Sequence, residues 1–132
     1  MRSAFQSKKL LKNLKYCIQR IRLGYCDADL WDIDEWFLSV IVPMLRQFTN
    51  SRMGGCPGEL IKNFVPETDD ETDRGKLYEI GEQKWNEALN RLADDFETLK
   101  RLQDEIGDQK QQEAIKNECL KRFSEYFFYL WD

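Results

Sequence analysis

The sequence predicts an all-α protein: a four-helix bundle with one long irregular loop between its second and third helices. Three observations predict it. Apolar residues recur at three- and four-residue spacing in four separate stretches. No stretch alternates at period two over a useful length. Glycines and aspartates stand where helices need to stop and start. With 132 residues, 42% apolar and 33% charged, the chain is expected to form a single helical domain over 1–132, with apolar residues enough for a core.

The first helix is expected over 4–23. Leu10, Leu14, Cys17, Ile18 and Ile21 follow the helical spacing, while Lys8, Lys9, Lys12 and Lys15 lie mostly off that stripe. Gly24 supplies the C-terminal stop. Asp27 then reads as the N-cap of a short turn through Trp31. Either Asp32 or Asp34 caps the second helix, and Glu35 stands three residues after Asp32 as a capping box prefers. The second helix runs to about Phe48 and carries Trp36, Phe37, Val40, Ile41, Met44, Leu45 and Phe48. It is apolar on more than one face and is expected to be the most buried element, kinked but not broken at Pro43.

Residues 49–80 are read as the long crossing loop. Gly54-Gly55-Cys56-Pro57-Gly58 is a turn cluster, and the acidic stretch through Asp73 has few apolar residues. Within the loop, Leu60, Ile61, Phe64 and Val65 form an apolar island expected to make one short turn and pin the loop to the core. The third helix is expected from about Glu82 to Ile106, marked by Trp85, Leu89, Leu92, Phe96, Leu99 and Ile106. Gly107 ends it and Asp108 caps the fourth. That helix carries Ile115, Cys119, Leu120, Phe123, Phe127, Leu130 and Trp131, and its end, from Tyr126 to Trp131, is aromatic all round. Such an end is either deeply docked or covered by another chain.

The composition excludes most catalytic repertoires. There is no histidine, the commonest general base and metal ligand. Cys17, Cys26, Cys56 and Cys119 form no Cys-x-x-Cys pair, and they are expected to be reduced structural thiols. No metal and no cofactor is expected. Gly54–Gly58 lacks the Lys-Ser/Thr of a phosphate loop and is read as a tight turn. Carboxylates at one-turn spacing, Asp32 and Glu35, Glu79 and Glu82, Asp94 and Glu97, are the one inventory open to a magnesium-dependent hydrolase. Among 24 acids such pairs arise by chance; capping better explains Asp32 and Glu35, and a solvated helix face Asp94 and Glu97. No apolar run reaches the ~20 residues of a membrane span, and the N-terminal residues do not read as a secretion leader. A cytosolic protein with no membrane partner is therefore expected.

The net charge of −4 hides an asymmetry. Residues 1–26 hold seven positive charges and no negative one; the rest of the chain holds 13 positive and 24 negative. Acids cluster at Asp27, Asp29, Asp32, Asp34 and Glu35, and again at Glu67, Asp69, Asp70, Glu71 and Asp73. The first helix can dock on acidic surface of its own or another copy, or bind a polyanion through Lys8, Lys9, Lys12 and Lys15. An overall pI of about 5.0 is far from the basic footprint of most nucleic-acid binders.

The segment Gly24-Tyr25-Cys26-Asp27-Ala28-Asp29-Leu30-Trp31-Asp32-Ile33-Asp34, followed by Ile41-Val42-Pro43-Met44-Leu45, resembles a family of small phage and prophage proteins. These carry a Gly-aromatic-Ser-Asp-x-Asp-x-Trp-x-Leu-Asp segment, a Gly-x-Pro turn matched by Gly55-Cys56-Pro57, and an acidic-aromatic helix that looks like Lys84–Leu89. They close on an aromatic Leu-Trp end, as Phe128-Tyr129-Leu130-Trp131-Asp132 does. Cys26 replaces the family's serine. The resemblance implies a phage origin, a helical fold and the host cytoplasm, and it implies no activity.

Three functional readings stand open. The leading one is a non-catalytic phage accessory protein that binds a host or phage protein, including a host-defence component or, as a variant, a nucleotide signal. It is expected to be a homo-oligomer, with Tyr126, Phe128, Tyr129 and Trp131 as the contact and Tyr25, Asp27, Asp29, Trp31 and Asp34 as a recognition surface. The second is nucleic-acid binding through the first helix. The third is a carboxylate-metal nucleotide hydrolase.

Overall fold

The computed structural model describes residues 2–51, 55–64, 71–105 and 107–131. Every described element is helical. The α-helices are α1 (Arg2–Leu23), α2 (Ile33–Ser51), α3 (Gly58–Phe64), α4 (Glu71–Asp104) and α5 (Gln109–Tyr126), with 3-10 turns at Asp27–Leu30 and Phe127–Tyr129. The all-α expectation holds, but the described residues form five α-helices in place of the four expected. The chain divides into two compact units, Met1–Ser39 and Val40–Asp132.

In the N-terminal unit, Gly24 ends α1 as its position in the sequence predicts. It adopts φ +82°, a conformation open to glycine at little cost, and its N–H donates to the Arg20 carbonyl at 3.0 Å. The capping expectation for Asp27 is corrected. Cys26 is the N-cap of the 3-10 turn and Asp27 its first residue. Asp32 stands just before α2, its carbonyl accepting from the Trp36 N–H at 3.0 Å. Among the described residues of this unit, Cys26 and Leu38 are buried. α2 runs unbroken through Pro43.

The C-terminal unit is built on α4, which packs against α3 and α5. Trp85, Leu89, Leu92, Ala93 and Phe96 recur at helical spacing and are buried. Tyr126 meets the Trp85 ring edge-on at 5.0 Å, and Phe123 meets Phe96 edge-on at 5.6 Å. The most buried stretch is thus on α4 and not, as expected, on α2, whose Met44 and Ile33 are exposed. Spacing shows that α2 is apolar on two faces; it does not show that both are covered.

The long loop expected over 49–80 is corrected too, since α2 reaches Ser51, 58–64 is α3, and α4 begins at Glu71, well before Glu82. Once Trp85 to Phe96 anchor a helix, propagating it by further turns costs little, even through residues too polar to pack. The apolar island does what its composition predicts: Leu60 is buried, and Ile61 and Phe64 pack on the cluster of Cys56, Trp85 and Leu89. Asp108 caps α5, its carboxylate accepting from the Lys110 N–H at 2.9 Å. Gly54, Val65, Ile106 and the side chains of the Glu67–Asp73 cluster lie outside the described residues.

Candidate functional site

α1 is strongly two-faced. Leu10, Leu14, Cys17, Ile18 and Ile21, with Leu11 at the edge, share one arc. Lys8, Lys12 and Lys15 form a row on the other side, with Lys9, Gln19 and Arg20. The following turn docks on the polar side. Lys15 Nζ reaches Asp27 Oδ2 at 2.8 Å. Gln19 donates to Asp27 Oδ1 at 2.9 Å and accepts the Asp27 N–H at 3.0 Å. Arg20 Nη2 donates to Asp29 Oδ1 at 3.0 Å, and Asp29 Oδ2 accepts the Cys26 N–H at 2.8 Å.

These bonds shift the carboxyls as electrostatics requires. The Arg20 guanidinium, then the Cys26 N–H, bring Asp29 down to about 2. Hydrogen bonds from Lys15 and Gln19 lower Asp27, and its bond to Asp27 raises Lys15. Asp27 and Asp29 therefore clamp the turn to α1. Tyr16 and Gln19, the described α1 residues that are half-covered, also lie away from the apolar arc. That arc is left open: Leu10, Leu11, Leu14, Ile18 and Ile21 are 47–84% exposed.

The five residues expected to form a recognition surface have divided roles. Asp27 and Asp29 serve the clamp. Trp31 is 87% exposed, and Tyr25 and Asp34, the latter in the first turn of α2, are exposed too. An open pocket of about 300 Å³ is lined by Tyr25, Asp29, Leu30, Ile33 and Trp36. Trp36 is fixed by its Nε1–H donating to the Gly24 carbonyl at 3.2 Å. The lining is apolar but for Asp29 and contains no basic side chain. Of the four lysines expected to meet a polyanion, Lys8, Lys9 and Lys12 are exposed. Lys12 Nζ also sits 5.7 Å from the centroid of the Tyr16 ring, and Lys15 is bound to Asp27.

The C-terminal aromatics also divide. Tyr126 packs on Trp85, and Tyr129 donates to Glu59 Oε2 at 2.6 Å. Phe128 and Trp131 are 83% and 72% exposed, and Phe127 stands between Phe123 and Phe128 in an edge-on chain of rings. Asp94 and Glu97 both hold Arg46, at 2.5 and 2.7 Å. Asp95 and Glu118 hold Arg122. Among the described residues no three acids or thiols gather to hold a metal ion. None of the four cysteines is in a disulfide; Cys17 is exposed, and Cys26, Cys56 and Cys119 are buried.

Sequence reading left docking of the first helix on its own acidic surface open, but did not pair Lys15, Gln19 and Arg20 with Asp27 and Asp29. The available signal was a basic row seven residues or more upstream of Asp27 and Asp29 across a glycine stop. It also missed the open apolar arc, since helical spacing gives a shared face but not its cover. Among the described residues no helix is long and apolar enough to cross a membrane. No protein-family model matches the chain, and neither a curated protein nor a solved structure matches it.

Proposed function

We propose that this chain is a non-catalytic accessory protein, of phage origin as its resemblance implies, that acts by binding a host or phage protein in the host cytoplasm. We further propose that it works as a homo-oligomer. One observation carries the reading: large apolar side chains stand open in two separate places, on α1 with the turn after it, and at Phe128 and Trp131. Contiguous exposed apolar surface of this kind marks interaction sites. The lack of histidine and the engagement of Asp94 and Glu97 by Arg46 support binding over hydrolysis. The pocket at Tyr25 and Trp36 has no basic lining, which favours a protein partner, such as a host-defence component, over a nucleotide signal.

Affinity capture from host lysate with the wild type and the Phe128→Ser/Trp131→Ser variant tests this reading. A protein retained by the wild type and lost with the variant is expected. A protein set that is the same for both contradicts the reading.

A second reading, nucleic-acid binding, rests on the exposure of Lys8, Lys9 and Lys12. Replacing all three with glutamine would then reduce the salt slope of binding by about 0.9 per lost phosphate contact. An unchanged slope excludes it.

A further inference from the structure

α1 exposes an apolar arc and carries positive charge around the rest of its circumference. The 3-10 turn docks on the polar side, through Asp27 and Asp29, and Leu10, Leu11, Leu14, Ile18 and Ile21 stay exposed. At about 100° per residue, Lys8 and Arg22 fall on one flank of the arc, Lys9 toward the other, and Lys12 at the back. All four are exposed. Residues 1–26 contain no acid, and Lys8 with Lys12 and Lys9 with Lys12 are like-charge pairs that disfavour an isolated helix.

What covers α1 must take up apolar side chains on one side and respond to positive charge on all the others. A protein groove meets the first demand alone, since charges at the flanks and back of a helix seated in it face water. An anionic lipid surface meets both. Its potential extends over a Debye length of about 8 Å at physiological salt, comparable with a helix diameter of about 10 Å. Long basic stems on the flanks also turn their charged heads toward the headgroups. The unit's five acids all follow α1 in the sequence, and the clamp holds the first two, Asp27 and Asp29, on the side away from the arc. The lack of a membrane-spanning helix among the described residues has no bearing on a helix that lies in the interface.

We propose that α1 is an interfacial helix that docks the protein on a bilayer containing anionic phospholipid. The arc from Leu10 to Ile21 enters the boundary between headgroups and acyl chains, about 5–10 Å deep. Lys8, Lys9 and Arg22 lie at headgroup level, Lys12 faces the water, and the clamped turn stands on the far side of the helix. This goes beyond the proposed function and does not rest on it, leaving Phe128 and Trp131 to the protein partner and to the contact between copies.

The test mixes the full chain with sucrose-loaded vesicles of equimolar phosphatidylglycerol and phosphatidylcholine, or of phosphatidylcholine alone, and measures the protein that sediments. The wild type is expected to sediment with the anionic vesicles, less so as salt rises, and roughly tenfold or more weakly with phosphatidylcholine alone. Lys8→Gln/Lys9→Gln/Lys12→Gln is expected to lower partitioning about ten- to a hundredfold, at up to roughly fivefold per lysine. Leu10→Ser/Ile21→Ser keeps every charge and is expected to lower it on the order of tenfold or more. A wild type that stays in the supernatant, or partitioning that either variant leaves unchanged, overturns the proposal. So does loss of binding in Phe128→Ser/Trp131→Ser, which would place the lipid contact on the C-terminal aromatics. Should circular dichroism show that a variant has lost helix, the folded wild type decides. A nitrobenzoxadiazole label on Cys17, an exposed thiol in the arc, is expected to shift to the blue on the anionic vesicles. The same label on Lys12→Cys/Cys17→Ser is expected not to shift. Equal shifts, or none at Cys17, overturn the proposal. A wild type that stays in the supernatant as a dimer, and that Leu10→Ser/Ile21→Ser turns into a monomer, assigns the arc to a second copy instead.

Discussion

Asp29 ties together three parts of the N-terminal unit: Arg20 on α1, the backbone of Cys26, and the turn it belongs to. Its carboxyl is lowered from the ordinary 3.8 to about 2. The folded group is thus the stronger acid, and it contributes stability that is fully present above 3.8 and lost as the pH falls through about 2. Carboxyl-detected NMR is expected to follow Asp29 titrating in that window while the Cys26 amide resonance moves with it. In Asp29→Asn the Cys26 resonance should lose that step; a step of unchanged size would remove Asp29 from the clamp. The thiols give a second check. Burial in apolar surroundings, then the charge of Asp95, pushes Cys119 up to about 12, so it is starved of thiolate, while Cys26 and Cys56 are shielded by burial and Cys17 stands exposed. Iodoacetamide is expected to modify Cys17 alone in the folded protein and all four thiols after denaturation. Fast modification of a second thiol would contradict the packing described.

Among the helices, α4 bears the core, and Trp85 is its centre, 1% exposed with Phe64 and Tyr126 against its ring. Trp85→Ala is expected to cost about 3–5 kcal/mol in urea unfolding. Arg46→Ala, which frees two exposed carboxylates, is expected to cost no more than ~1 kcal/mol. Equal losses would mean that the helices are held by their ion pairs. Much of this was legible in the sequence. The Gly24 stop, the Asp108 cap, the short α3 under Leu60, and the buried series from Trp85 to Phe96 each follow from a local rule that tertiary packing did not override. The early start of α4 was not legible, because its first turns are continued from a packed segment further along and carry few apolar residues. Asp27 was misread for a related reason. Its residue type suits a cap, but Lys15 and Gln19, far upstream, compete for its oxygens and leave the N-cap position to Cys26. The exposure of the α1 arc was out of reach, since periodicity is the same for a covered and an uncovered face.

The chain as a whole carries a net −4, yet its first 26 residues are uniformly basic, and the acids nearest to them in sequence sit in the same compact unit. Charge separated in this way steers encounters with oppositely charged surfaces. In the proposed homo-oligomer, burial of exposed apolar side chains, which is insensitive to screening, would hold the copies together. Light scattering of the full chain at low and at high salt therefore measures what matters most. A mass of twice 15.8 kDa at both salt concentrations is predicted. A mass of 15.8 kDa at both would contradict the homo-oligomer, and a dimer that dissolves in high salt would contradict a contact held by apolar burial.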